Sequence, residues 1–167
     1  MNNFNQLNLS GDSLKILKGL KFENPTPIQE KVIPVALQGN DVMGTAQTGS
    51  GKTLSYILPI VEKLRINVND KFLVLTPTRE LAEQVFSVAK IFLGHGKPFK
   101  AINLIGGKGI FSQINQLKKN PQIIIGTPGR INDLLERKSL GLSKCSVVVL
   151  DEMDRMLDMG FGYQVDK

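Results

Sequence analysis

Five brief, mostly apolar runs separated by stretches of helical periodicity constrain this chain more than any other feature it has. The runs are Val42–Ala46, Phe72–Thr76, Ala101–Ile105, Ile123–Gly126 and Val147–Leu150. Runs this short and this apolar are expected of parallel strands buried on both faces. Helical patterns lie between them at Thr53–Leu64, Arg79–Phe92, Ile110–Lys118 and Ile131–Arg137. Alternating strand and helix implies βαβ units, and so an α/β fold with a mostly parallel sheet and helices on both faces. Ligands of such sheets bind beyond the carboxyl ends of the strands. Pro59 falls inside the first of these helical patterns, where it should kink the helix or remove one hydrogen bond.

At 167 residues, with 41% hydrophobic and 22% charged positions, the chain has the size and composition of one globular domain. That composition excludes a disordered chain, and a single cysteine, Cys145, excludes a disulfide scaffold. No apolar run approaches the roughly 20 residues that span a bilayer. The polar start, MNNFNQLNLSGDS, lacks the basic and apolar regions of a secretory signal. A cytoplasmic protein without a membrane partner is expected. The net charge of +6 is unevenly spread: Lys90–Lys144 carries ten Lys or Arg against two Asp or Glu. A basic stretch of that kind suits a polyanionic partner such as a nucleic acid, or serves only as a solvated surface.

The segment Ala46–Thr53 reads AQTGSGKT, between an apolar run and a helical pattern. It fits a phosphate-binding loop, with Ala in the first position that is usually Gly. Gly49 and Gly51 let the backbone curl so that successive N–H groups face phosphate oxygens, which makes Thr48, Gly49, Ser50 and Gly51 candidate nucleotide-binding residues. The following helix adds the positive end of its dipole. Lys52 can reach the β and γ phosphates of ATP, and the Thr53 hydroxyl can ligate Mg²⁺. The last apolar run delivers Asp151 and Glu152 at a carboxyl end. Asp151 would hold the metal, while Glu152 would orient and deprotonate an attacking water. Lys52, Asp151 and Glu152 are thus the candidate catalytic residues, with Thr53 and Asp151 on the metal.

Three smaller motifs each have two readings. In FENPTPIQ, Thr26 to Gln29 form a capping box with Pro27 in the first turn, which explains Gln29 without a ligand. Alternatively, the Gln29 carboxamide pairs with the N6/N7 edge of adenine, with Phe22 packed near the base. Two strands end alike, in Thr76-Pro77-Thr78-Arg79-Glu80 and Thr127-Pro128-Gly129-Arg130. Each sets a helix start and an arginine on one edge of the sheet, suited to backbone phosphates or to ordinary caps and ion pairs. Gly106-Gly107 offers close backbone approach or a tight turn.

Taken together, these residues resemble the amino-terminal RecA-like P-loop domain of a DEAD-box ATP-dependent RNA helicase. FENPTPIQ resembles the Q motif of that family, so that residues 1–40 are its Q-motif region. AQTGSGKT resembles motif I, PTRELA motif Ia, TPGR motif Ib, and the strand ending DEMDRMLDMGF motif II. The resemblance implies that Gln29 recognises adenine, with Phe22 and Thr26 beside it. It implies that Pro77, Thr78, Arg79, Gly106, Gly107, Thr127, Pro128, Gly129 and Arg130 contact the RNA sugar-phosphate backbone with little sequence specificity. ATP and Mg²⁺ are the implied cofactors.

The sequence departs from the family pattern in two places. Met153 stands where the family has Ala, and a longer side chain there would crowd the phosphate loop. Residues 1–167 hold only part of the helicase domain, incomplete at its carboxyl end, and the second RecA-like domain of the family lies outside them. Two central strands would then lack a neighbour. For these residues alone, negligible unwinding, ATPase activity near background and a tendency to associate are expected. Two further readings stay open: a non-catalytic nucleotide- or RNA-binding fragment, and the core of another P-loop motor ATPase.

Overall fold

The computed structural model describes residues 3–94 and 99–166. Its contacts divide the chain into two compact units, Met1–Asn67 with Ile91–Gly94, and Val68–Lys90 with His95–Lys167.

The first unit is helical. A 3₁₀ turn at Phe4–Gln6 leads to α1 (Gly11–Gly19), α2 (Pro27–Leu37) and α3 (Lys52–Ile66). Its core is built from Phe4, Leu17, Ile33, Ile57, Leu58, Val61 and Leu64, all buried. Helix α3 runs without a break through Pro59, so this proline costs only the one hydrogen bond that its missing N–H cannot make. Ser10 caps α1 by accepting from the backbone N–H of Ser13 at 3.3 Å. The carboxylate of Glu62, on α3, anchors that cap. It accepts from the Ser10 N–H at 3.1 Å, the Ser10 hydroxyl at 2.8 Å and the Ser13 hydroxyl at 2.5 Å.

The expected strand Val42–Ala46 does not form. Those residues carry no regular structure, and Met43 is 95% exposed. An apolar run becomes a strand only where a neighbouring strand takes up its N–H and C=O groups. Among the described residues none pairs with this one.

The second unit holds a four-stranded, wholly parallel sheet of β1 (Lys71–Leu75), β2 (Ala101–Leu104), β3 (Ile123–Gly126) and β4 (Cys145–Leu150), in the order β2-β3-β1-β4. The helices are α4 (Arg79–Leu93), α5 (Ile110–Leu117), α6 (Pro128–Glu136), α7 (Met153–Asp158) and α8 (Gly162–Asp166). Crossover handedness distributes the long helices. The connection from β1 to β2 moves one way across the sheet; those from β2 to β3 and from β3 to β4 move the other way. Right-handed crossovers therefore put α4 on one face and α5 and α6 on the opposite one. On the α5/α6 face, Leu73, Leu75, Ile102, Leu104 and Ile124 form a core with Ile131, Leu134 and Met156. On the other face Phe72, Val74, Ile123 and Ile125 are equally buried. Strands β2 and β4 are the two edges of the described sheet, and Val148 on β4 is 56% exposed.

Register fixes what the sheet presents. Leu104, Gly126, Leu75 and Leu150 stand in one row across the four strands. The next residues, Ile105, Thr127, Thr76 and Asp151, therefore leave the sheet together at its carboxyl edge. The ladder runs one step further at each pair, where the N–H groups of Asp151, Thr76 and Thr127 donate to the carbonyls of Leu75, Gly126 and Leu104 at 2.9, 3.0 and 3.2 Å.

Candidate functional site

In the first unit, Phe22, Thr26, Gln29, Gly49 and Gly51 line one cavity of about 220 Å³, together with Phe4, Asn24 and Leu54. Helix α2 begins at Pro27 behind Thr26, and Gln29 on its first turn is 3% exposed. Its Oε1 accepts from the Thr26 N–H at 3.0 Å, as the capping reading requires. Its Nε2 donates to the carbonyl of Gly51 at 3.0 Å. The carboxamide therefore ties the capping segment to the start of α3. One Nε2 hydrogen and one lone pair of Oε1 remain beyond these two bonds. Cap and ligand contact are compatible roles for one side chain.

The loop before α3 has the shape that phosphate binding needs. Gly49 and Gly51 sit at φ 82° and 85°, in the left-handed region. A side chain at Gly51 is excluded twice, by that φ and because its Cβ would run into Nε2 of Gln29. The Lys52 ammonium turns back to donate to the Ala46 carbonyl at 2.6 Å. Two hydroxyls of this unit, Thr26 Oγ1 and Ser50 Oγ, are buried without a hydrogen-bond partner. Thr26 Oγ1 faces the first turn of α2 and would stand 3.2 Å from a Cβ at Gly51. Buried groups of that kind ordinarily find a partner. Two orphaned hydroxyls, a cradle open only to glycine and a lysine resting on a backbone carbonyl suit a phosphate-bearing ligand. Thr48 and Thr53 flank the same turn, at its start and in the first turn of α3.

In the second unit, the carboxyl edge of the sheet opens into a groove of about 570 Å³. Pro77, Thr78, Arg79, Gly106, Thr127, Gly129 and Arg130 line it, all from the two arginine motifs and the glycine pair. Thr78 caps α4, its hydroxyl accepting from the Leu81 N–H at 3.3 Å. Thr127 and Pro128 open α6, three residues earlier than its apolar pattern implies, because Pro at the first position is ready for a helix. Two helix N-termini thus face one groove. The Arg79 guanidinium lies against Gly106 and Gly107: a Cβ on either would come within 2.9 Å and 2.6 Å of its Nη atoms. Gly107, at φ 80°, meets the turn and the close approach at once.

Sequence reasoning missed three lining residues, Glu80, Met159 and Phe161. Glu80 stands inside the first arginine motif and was legible. The other two follow α7 and reach the groove only through tertiary packing. Of the described bases in Lys90–Lys144, Arg130 is the one that lines the groove; Lys97 lies outside the described residues. Lys108 instead pairs with Glu83 at 2.8 Å.

Asp151 and Glu152 follow β4 directly. Glu152 takes φ 51°, ψ 50°, a left-handed conformation at the cap of α7 that costs a non-glycine residue roughly 1–2 kcal/mol. Strain of this order collects at functional sites. Arg155 lies 3.4 Å from the Glu152 carboxylate, an i,i+3 pair readable from DEMDR. Met153 opens α7 and is 44% exposed, whereas Met156 one turn on is fully buried. No group of three or more metal-ligating side chains occurs among the described residues. No described helix is long and apolar enough to cross a membrane.

Comparison with known proteins places the chain. The DEAD/DEAH box helicase family matches residues 26–167. The chain is 48% identical, over 96% of its length, to the DEAD-box ATP-dependent RNA helicase CshA of Geobacillus kaustophilus (strain HTA426). Against the protein of that name in Bacillus subtilis (strain 168) it is 46% identical over 95%. It spans 34% and 32% of those two proteins, about a third of their length. Among solved structures, a DEAD box protein from the hyperthermophile Methanococcus jannaschii superposes with a TM-score of 0.92 at 44% identity, covering 98% of this chain and 45% of that one. A hypothetical ATP-dependent RNA helicase from Sulfolobus tokodaii gives 0.86 at 37% identity, covering 94% and 45%.

Proposed function

Because the chain belongs to the DEAD/DEAH box helicase family, we propose that it is the ATP-binding and RNA-backbone-binding portion of an ATP-dependent RNA helicase. The observation that carries this reading is the bond from Gln29 Nε2 to the Gly51 carbonyl. It brings a carboxamide suited to adenine and a loop suited to phosphates to one cavity.

Each residue then has a defined role. Gln29 offers its remaining donor and acceptor to the adenine edge, and Phe22, 47% exposed at the cavity, covers the base. Lys52 exchanges the Ala46 carbonyl for phosphate oxygens, which as charged acceptors bind it more strongly. The Ser50 and Thr26 hydroxyls gain partners. Thr53 in the first unit and Asp151 in the second are each chemically suited to ligate Mg²⁺, which would neutralise phosphate charge when bound. Hard cations of this type are held by one or two carboxylates plus substrate phosphates, so no cage of side chains is needed. Glu152 orients the attacking water and takes its proton.

RNA lies in the arginine groove by its phosphates, met by the N-termini of α4 and α6 and by Arg79 and Arg130. With Arg79, Arg130 and the helix N-termini all committed to phosphates, binding is indifferent to sequence and weakens as salt rises. Titration of a fluorescent ATP analogue against wild type and Lys52→Ala, with a uridine oligonucleotide titrated in parallel, tests both halves. Lys52→Ala should lose tenfold or more in nucleotide affinity, the loss expected of one charge-assisted contact, and leave RNA affinity unchanged. Equal nucleotide binding by the two would sink the phosphate-loop assignment.

A further inference from the structure

Gln113 lies outside every motif that the sequence singled out, yet it is 2% exposed at the root of the arginine groove. Its position on the first turn of α5 gives it two non-local bonds. Nε2 donates to the carbonyl of Ile105 at 2.9 Å, where the chain has just left β2 and is about to form Gly106-Gly107. Oε1 accepts from Nη1 of Arg130 at 3.0 Å. The same Nη1 also donates to the Lys108 carbonyl at 3.1 Å. Arg130 is thereby held at two acceptors on one side of its fork, and Gln113 fastens one of them to the sheet.

We propose that Gln113 is the positioning residue of the RNA groove, a buried carboxamide brace that is itself fastened to the sheet at Ile105 and presets the Arg130 guanidinium for a backbone phosphate. This inference rests on the groove being the RNA site. An arginine on a free stem gives up rotamer entropy each time it binds a phosphate, and a braced one has given it up already. A carboxamide suits this position because it presents a donor to Ile105 and an acceptor to Arg130 without adding charge beside a site for anions. A carboxylate would neutralise the arginine it positions. A hydrocarbon of the same size would strand the Ile105 carbonyl.

The test is a double-mutant cycle on the full chain, with a fluorescent uridine decanucleotide titrated at several salt concentrations. Gln113→Met keeps the volume and removes both bonds. It should weaken RNA binding about fivefold and leave ATP-analogue affinity, which belongs to the other unit, unchanged. Arg130→Ala should weaken RNA binding and lower the log–log salt slope by about 0.7, one phosphate contact on a single strand. In the Arg130→Ala background Gln113→Met should add less than twofold, because a brace without its arginine has nothing to position. Losses that multiply in the double variant overturn the inference, since a merely structural Gln113 would act in either background. If Arg130→Ala itself leaves RNA affinity intact, the groove is not the RNA site and the inference falls with it. A second measurement needs no substitution. Nitrogen-15 spectra of the wild-type chain should show slowed Nη rotation at Arg130, and fast averaging at Arg137, which donates to Asp133 through Nε at 2.7 Å. Equal averaging at both overturns the brace.

Discussion

The side chain of Gln29 reaches across 22 residues of sequence to donate to the main-chain carbonyl of Gly51 at 3.0 Å. Gly51 is the residue that must be glycine for the phosphate loop to turn into α3, so a side chain on α2 is fastened to the backbone of the loop itself. Gln29→Ala should act in two ways. Loss of its half of the capping box costs about 1 kcal/mol of stability. Loss of a bidentate base contact, worth about 1–3 kcal/mol, should reduce the preference for ATP over GTP roughly tenfold or more. Competition between the two nucleotides, before and after the substitution, checks this. An unchanged ratio would leave Gln29 a cap and nothing else.

Glu62 makes a second long-range anchor. It is 8% exposed and receives three hydrogen bonds from Ser10 and Ser13, with Arg65 at 3.9 Å behind it. Glu62→Ala strands the buried Ser13 hydroxyl, takes a partner from the half-buried Ser10 and frees the cap of α1. Hydrogen bonds to charged groups contribute about 1.5–3 kcal/mol each before such losses are shared. A destabilisation of about 2–3 kcal/mol is expected, read as a lower urea midpoint with an unchanged slope. Glu62→Gln keeps one acceptor oxygen and should lose less. Equal midpoints for wild type and Glu62→Ala would show that α1 is not held through this carboxylate.

What was legible in the sequence was local. AQTGSGKT names its own geometry, because glycines at 49 and 51 and a lysine at 52 have few other uses together, and both glycines are found left-handed. The apolar runs at 72–76, 101–105, 123–126 and 147–150 become strands because each has a neighbour to pair with. Val42–Ala46, interrupted by Gly44 and Thr45, is less apolar, and without a paired neighbour among the described residues it forms none. Helix α1 escaped notice because GDSLKILKG has too few apolar positions to show a period; its anchor, Glu62, is some fifty residues away. Gln113 was invisible for a related reason. On α5 it reads as one more polar position, and only the fold brings Ile105 and Arg130 to its two ends.

Cys145 begins β4 half-buried, and burial pushes its thiol above the usual value; backbone hydrogen bonds at Val147 and Leu73 offset this only in part. A raised value means less thiolate at any pH below it, and thiolate is the reactive form. At pH 8 the folded chain should therefore react with a disulfide reagent several times more slowly than the urea-unfolded chain, and the rate should climb steeply only at higher pH. Equal rates for folded and unfolded protein would contradict the burial.

The outer edge of β4 leads to the last prediction. Strand β4 ends the sheet order, so its outward N–H and C=O groups meet no further strand among the described residues. Val148 shares a face with Leu73, its register partner, yet is 56% exposed where Leu73 is buried. An apolar, unpaired parallel edge is a template for another chain, and natural edges are protected from this by charge, above all by lysine. A polypeptide of residues 1–167 should therefore self-associate in a concentration-dependent way, seen as a rising mass by light scattering after gel filtration. Val148→Lys places a charge on that edge without touching the groove or the phosphate loop. It should shift the protein toward monomer and leave ATP-analogue and RNA affinities as they were. If Val148→Lys associates as readily as wild type, the contact lies elsewhere, and exposed Met43 in the first unit becomes the next position to substitute.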